Sequence, residues 1–327
     1  MAAGIVKKLR SVYFGSIQRR LPVRVHGLLY RAACSRAKTR RERLRQIILK
    51  HYAGIPREQW TEEQAEVLDY LSCHPLSFIP YSWAADYMEM PLNIYLDRSR
   101  KMHYIVIDDV KIYFKRYIDR FAADKMAREL LIEQDLRSPH RYVTEENKFP
   151  GILDICTGER GGLSGHCIEP GDVVADIGAA EAIFSRSVAD IASRIYIFES
   201  DPDWLAALEE TFKNYNEKIV IECRFVSDTD DERNITLDTY FKYNPSVSFL
   251  KADVEGAELQ LLRGACELIS KGSIKKASIC VYHDVSHAGL IAKEFAEHGY
   301  TADFTTGLIP NWFEPYFVKG VMQARLK

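Results

Sequence analysis

Several side chains in the C-terminal half are of types, and at spacings, that could do chemistry together. Asp253 and Glu255 stand two residues apart in Phe249-Leu-Lys-Ala-Asp253-Val-Glu255-Gly-Ala-Glu258-Leu, just after an apolar run, and His283 follows a second such run. Two carboxylates and an imidazole can exchange a proton near neutral pH, or they can hold a divalent ion. The spacing leaves both open and assigns no firm metal site. Local alternatives stand beside this reading: Asp253 as a helix N-cap, Glu258 as an acid in a first turn, His283 as a satisfied strand-end histidine.

Upstream, Asp176-Ile-Gly178-Ala179-Ala180-Glu181-Ala182-Ile-Phe-Ser185 runs from an apolar stretch through a glycine turn into a helical one. Glycine opens backbone conformations closed to other residues, and the helix start beyond it offers free amides. Glu199, followed by Ser200, ends the next apolar run 21 residues after Gly178. An acid at that interval commonly binds ribose hydroxyls. The later glycines of the dinucleotide fingerprint are missing, which argues against NAD. Val226-Ser227-Asp228 follows a third run and could meet an adenine edge or cap a turn. His140, Arg141 and Tyr142 could fold over a ligand as a lid, with Arg141 facing a carboxylate or anionic substrate. They could equally form a turn begun by Ser138-Pro139.

These residues need elements to bring them together. Strands are expected over 172–177, 194–199, 218–226, 247–252 and 277–282, and helices over 182–192, 202–215, 257–271 and 286–298. Such alternation predicts a parallel sheet covered on both faces, with the ligand side at the carboxyl edge. Two more stretches, 300–306 and 316–325, complete a terminal antiparallel pair. The inventory is that of an α/β, Rossmann-like class I methyltransferase sheet. Ahead of it, 102–116 reads as a hairpin turning at Asp108-Asp109, with a helix through about 136. Thr61-Glu-Glu-Gln64 reads as a capping box opening a helix that buries Leu68 and Leu71. The chain thus divides into a basic, mostly helical extension (1–100), a hairpin and connecting helix (101–145), and the sheet domain (146–327).

Charge is distributed unevenly. Residues 1–50 hold 14 Lys and Arg against the single acid Glu42, a balance of +13, while the remainder carries −15. Ile5, Leu9, Val12 and Ile17 share one helical face among basic residues, a pattern suited to lying on an anionic membrane or to packing on the protein. The acidic residues Glu58, Glu62, Glu63, Glu66 and Asp69 are expected to neutralise part of this arm. With 47% hydrophobic and 28% charged residues, disordered and collagen-like classes are excluded. Seven scattered cysteines without a CxxC pair argue for a reducing compartment and against a zinc ribbon. Interrupting charges exclude a signal peptide and a conventional transmembrane helix. The acidic C-terminal half argues against nucleic acid as substrate.

Taken in order, DIGAAEAIFS, IFESD, FVSD, TLD and LKADVEGAELQLLRGA resemble the FkbM-type methyltransferase family over about residues 138–305, and SPHRY and ICVYHD resemble a bacterial branch of it. The resemblance implies an S-adenosylmethionine-dependent O-methyltransferase acting on a hydroxyl of a sugar, glycan or glycolipid. A polyketide-type small metabolite is the alternative acceptor, and a scaffold that keeps the fold without turnover is the alternative class. Carried over by position, Asp176 and Gly178 lie by the methionine portion of the cofactor, Glu199 at the ribose, Asp228 by the adenine, and Asp253 and Glu255 at the methyl group. Ala179, Ala180, Glu181, Ser200 and Ser227 are also expected to bind the cofactor. Methyl transfer is an in-line displacement, and a neutral alcohol attacks better when a base takes its proton. His283 is the preferred base, and metal assistance through Asp253, Glu255 and His283 stays open. Ala182 stands where the family often has glycine, an added methyl that narrows the cofactor's approach or improves helix propensity. The expected location is cytoplasmic, with peripheral contact to the inner face of an anionic membrane through residues 1–50.

Overall fold

The computed structural model describes residues 23–107, 109–143, 163, 165–215 and 217–327. The apolar face expected over residues 1–20 and Asp108 of the hairpin turn lie outside the described residues. The basic stretch forms one long helix, α1 (Val23–Ala53), which buries Ile48 and leaves most of its cations exposed. Next, α2 (Glu62–Cys73) opens with the expected capping box between Thr61 and Gln64 and buries Val67, Leu68 and Leu71. Residues 75–101, for which the sequence carries no periodic signal, contain α3 (Ser82–Glu89) and β1 (Tyr95–Asp97). Then β2 (Met102–Ile107) and β3 (Val110–Tyr113) pair antiparallel, with Asp109 in the left-handed region (φ 61°) at their turn. The connecting helix is α4 (Arg120–Gln134).

Among the described residues, Asp69 and Glu63 of α2 pair with partners outside α1. Asp69 pairs with Arg57 at 2.7 Å, and Glu63 receives Lys319 Nζ at 2.7 and 2.8 Å and the Gly307 amide at 2.7 Å. Glu63 thereby ties the N-terminal region to the segments around the C-terminal strands.

The sheet domain then runs β4 (Val173–Ile177), α5 (Ile183–Val188), β5 (Arg194–Phe198), α6 (Pro202–Phe212), β6 (Ile219–Glu222), β7 (Phe225–Val226), β8 (Asn234–Ile235) and α7 (Leu237–Phe241). It continues through β9 (Phe249–Ala252), α8 (Glu258–Arg263), α9 (Cys266–Ser270), β10 (Lys276–Cys280), α10 (Val285–Glu297) and β11 (Tyr300–Phe304). The short β12 (Ile309–Pro310) and β13 (Phe317–Val318) precede β14 (Val321–Leu326). Seven strands form one sheet in the order β11-β14-β10-β9-β4-β5-β6, and only β14 runs antiparallel to its neighbours. The order reverses at β4, with β5 on one side and β9 on the other, so the crevice lies at their carboxyl ends.

Strand residues alternate between two cores, as the pleat requires. Val174, Ile195 and Ile197 face a core that continues to Ile48, Leu71, Ile105 and Phe114 of the N-terminal region, while Ala175, Ile177, Tyr196 and Phe198 face the other.

Three expected elements are interrupted. The helix expected over 182–192 is confined to α5. The strand expected over 218–226 leaves the main sheet at Glu222, and its last residues pair with β8 instead. The helix expected over 257–271 breaks at Gly264, where a Cβ would lie 2.0 Å from the Ser227 carbonyl oxygen. Among the described residues no helix is long and apolar enough to cross a membrane.

Candidate active site

The carboxyl ends of β9 and β10 and the turn 138–142 converge on Asp253. Its Oδ2 accepts from the Tyr142 hydroxyl at 3.1 Å and lies 3.5 Å from His140 Nε2. Its Oδ1 faces the Tyr282 hydroxyl and His283 Nε2, each at 3.5 Å. Burial opposes ionisation of Asp253, but the hydrogen bond with His140 and the charges of Lys251 and His283 outweigh it and hold the carboxyl well below its usual range. On its other side, His283 Nδ1 sits 2.8 Å from Oε1 of Glu258, a carboxylate that is almost completely buried. The Gly256 amide donates to the same oxygen at 3.2 Å. Burial pushes His283 down, while the bond to Glu258 and the charge of Asp253 push it up further, so the imidazole titrates above its ordinary value. Glu258, read from the sequence only as an acid favouring a helix start, therefore fixes the tautomer and orientation of His283. Glu255 is exposed, in the left-handed region (φ 55°) of the tight turn ahead of α8.

The glycine turn lies beside this group. Gly178 has φ 71°, and a Cβ there would stand 1.9 Å from the Asp253 carbonyl oxygen. Its close approach is thus to the neighbouring strand end, and only glycine allows it. Asp176 is fully buried; its carboxylate pairs with Lys251 Nζ at 3.0 Å and accepts from Ser185 Oγ at 2.6 Å. Lys251 also donates to the Gly178 carbonyl at 2.9 Å, so this pair supports the turn from below. The resemblance puts Asp176 by the methionine portion of the cofactor; here its contacts are inside the protein. Ala179 is buried, and Ala180 and Ala182 both take left-handed conformations (φ 48° and 53°).

Glu199 spans from β5 to this turn, its two oxygens accepting the amides of Ala180 at 2.8 Å and Asp201 at 2.7 Å. Ser200 follows it, half-buried. Burial raises Glu199; burial and the charge of Glu133 push Glu181 to about 8, and burial with the charges of Asp253 and Glu129 pushes Glu133 to about 7. Ser227 and Asp228 lie beyond β7, with Ser227 Oγ 3.3 Å from Asp228 Oδ1 and Arg263 3.8 Å from Asp228. They do not end the third strand of the main sheet as expected, because that strand stops at Glu222.

The 138–142 segment is built into the site. His140, Arg141 and Tyr142 are buried, and the backbone turns through Ser138. Arg141 donates to the Ser138 carbonyl and to Thr306 Oγ1, each at 3.1 Å. His140 and Tyr282, 3.1 Å apart at Nε2 and the hydroxyl, pack edge-on or tilted against Phe78 and each other. Sequence reasoning missed Cys280, Tyr282, Lys251, Glu133 and Phe78. For Cys280 and Tyr282 a signal existed, since they alternate on the strand that delivers His283. Among the described residues, the cluster whose potential ligand atoms come within 4.8 Å of one another is His140, Asp253 and Cys280, which shares only Asp253 with the set expected from the sequence.

Residues 176–301 match the methyltransferase FkbM domain. No curated protein matches the chain. A solved FkbM methyltransferase from Methylobacillus flagellatus KT is 19% identical over 47% of this chain and 43% of its own, with a TM-score of 0.37. The precorrin-6y C5,15-methyltransferase of Geobacter metallireducens GS-15 is 13% identical over 49% of this chain and 82% of its own (TM-score 0.35). TrmK of M. capricolum, solved with S-adenosyl-homocysteine, is 14% identical over 48% and 63% (TM-score 0.34). This chain therefore spans less than half the length of the Methylobacillus protein. The glycine turn and the Asp253-Val-Glu-Gly turn both fall inside residues 176–301, the segment of this chain that matches the methyltransferase FkbM domain.

Proposed function

We propose that the protein is an S-adenosylmethionine-dependent O-methyltransferase whose acceptor is a hydroxyl of a sugar, glycan or glycolipid. The observation that carries this reading is the line Glu258–His283–Asp253 at the carboxyl edge of β9 and β10. Glu258 holds the Nδ1 proton, which leaves Nε2 as the acceptor of a substrate proton, and Asp253 stabilises the imidazolium that results.

The cofactor, when bound, supplies an electrophilic methyl group on a sulfonium. The residues fit such a cation: Glu133, Glu181 and Glu199 are carboxyls raised by burial around one turn, so a positive charge among them offsets their cost. Each Glu199 oxygen that holds a backbone amide retains a second lone pair for a ribose hydroxyl. His140, Tyr142 and Phe78 bring the region before residue 143 to the same edge, where it can shape the acceptor site. In the reaction the acceptor O–H proton passes to His283 Nε2 as the new C–O bond forms, and His283 returns it to water. The acceptor class comes from the family resemblance. Exposed cations of α1 suit a lipid-linked sugar at an anionic membrane face, reached from the cytoplasm.

Calorimetry tests cofactor binding. S-adenosylmethionine should bind and NAD should not, and Glu199→Ala should cost about 1.5–3 kcal/mol of affinity through a lost charge-assisted bond. Mass spectrometry of glycans and glycolipids from cells with and without the protein tests the acceptor. Absence of any methyl increment in these pools, with cofactor binding intact, would overturn the sugar reading.

A further inference from the structure

We propose that His140, Asp253 and Cys280 form a binding site for a borderline-soft dication of the zinc type. His140 Nε2 lies 3.5 Å from Cys280 Sγ and 3.5 Å from Asp253 Oδ2, and the ligand atoms of the three residues fall within 4.8 Å of one another. Tetrahedral zinc bonds of about 2.0–2.3 Å place neighbouring ligand atoms about 3.3–3.6 Å apart. The 3.5 Å spacings of His140 Nε2 to the carboxylate and to the thiol both match that edge.

The histidine is already posed as a ligand. Its ring packs against Phe78, Tyr142 and Tyr282, and its backbone amide lies 3.2 Å from Ser138 Oγ. Nδ1 has no hydrogen-bond partner and faces the Glu133 carboxylate at 3.8 Å. A carboxylate behind the remote ring nitrogen favours the Nδ1–H tautomer and leaves the Nε2 lone pair for an ion. The Tyr282 hydroxyl also lies 3.1 Å from that Nε2.

Donor chemistry narrows the ion. A thiolate and an imidazole suit zinc and its neighbours, whereas magnesium and calcium require oxygen ligands. Binding exchanges the Cys280 S–H bond for a metal–sulfur bond and releases that proton to water. A dication with one thiolate and one carboxylate is electroneutral, which suits a buried site. Asp253 would then serve both sides, with Oδ2 toward the ion and Oδ1 toward His283.

The site is tested on the full-length chain, without acceptor or S-adenosylmethionine, so its failure is separate from failure of methyl transfer. Apo protein is titrated with zinc, read by elemental analysis after desalting, and with cobalt(II), read by absorption. One equivalent of zinc should be retained, and cobalt should give the charge-transfer band of a thiolate in a tetrahedral field. Cys280→Ser should abolish that band. Glu133→Gln, which removes only the group behind His140, should keep the band and weaken binding about 10–100-fold. No retained zinc and no cobalt–thiolate band in the unaltered protein would overturn the proposal. So would an undiminished band in folded Cys280→Ser, since exposed Cys73, Cys223 or Cys266 would then be the source.

Discussion

His283 is held between two carboxylates with different tasks. Glu258 is buried and bonded at Nδ1, while Asp253 faces Nε2 from 3.5 Å. Both favour the imidazolium, and their effect exceeds that of burial, so the pKa lies above the ordinary imidazole value. A base must be unprotonated to act, so the rate should rise with pH through this raised pKa and fall below it. Glu258→Gln removes the charge while keeping the shape. It should move the acid limb of the kcat profile to lower pH and lower kcat at least about tenfold, short of the 10²–10⁴-fold that loss of the base itself costs. An unshifted limb would assign the pair to structure alone. His283→Ala should abolish the limb with little change in cofactor affinity by calorimetry.

At the scale of elements, the link from β4 to α5 gathers several strained backbone positions. Gly178, Ala180 and Ala182 all adopt positive φ within five residues, and two of the three carry a Cβ. Ala182 was expected either to crowd a ligand or to support a helix. It does not support the helix, because it is the residue before α5, left-handed (φ 53°) and buried. A left-handed alanine costs roughly 1–2 kcal/mol, partly regained through the lower entropy of its unfolded state. Ala182→Gly should therefore raise stability by about 0.5–1 kcal/mol, measured by denaturant unfolding. A loss of stability would mean that the methyl group's packing outweighs the strain.

For the whole molecule, most described cations of the basic arm stay free of the acids of α2 and exposed. The ion pairs of α2 go to Arg57 and Lys319, and most cations of α1 remain exposed. On α1, Arg41 stands 5.6 Å from the Trp312 ring, and Phe313, next to Trp312, is 73% exposed. Cations beside exposed aromatic rings suit an interface with anionic lipid, where each cation contributes about 1 kcal/mol. The protein should co-sediment with anionic vesicles at low salt, less so as salt rises, and not with neutral vesicles. Phe313→Ala should weaken this binding by a few-fold. Protein that stays in solution with anionic vesicles at low salt would assign the arm to packing within the fold.

The alternation of apolar runs was enough to place the strands, because a doubly covered parallel sheet imposes continuous apolar segments at regular intervals. The same rhythm put Gly178, Glu199, Asp253 and His283 at strand ends, and the capping box at Thr61 was legible because its geometry is set within four residues. What surrounds those residues was not legible. Tyr142 and His140 reach Asp253 and Tyr282 across 111 and 142 residues of chain. The buried pair of Asp176 with Lys251 exists only because β4 and β9, distant in sequence, lie side by side. Local periodicity determined which strand end each acid and histidine would occupy. Strand order within the sheet and the packing of the N-terminal region onto one of its faces decided which further residues they would meet, because contacts between distant segments depend on how layers close over a common core and leave no period in the sequence.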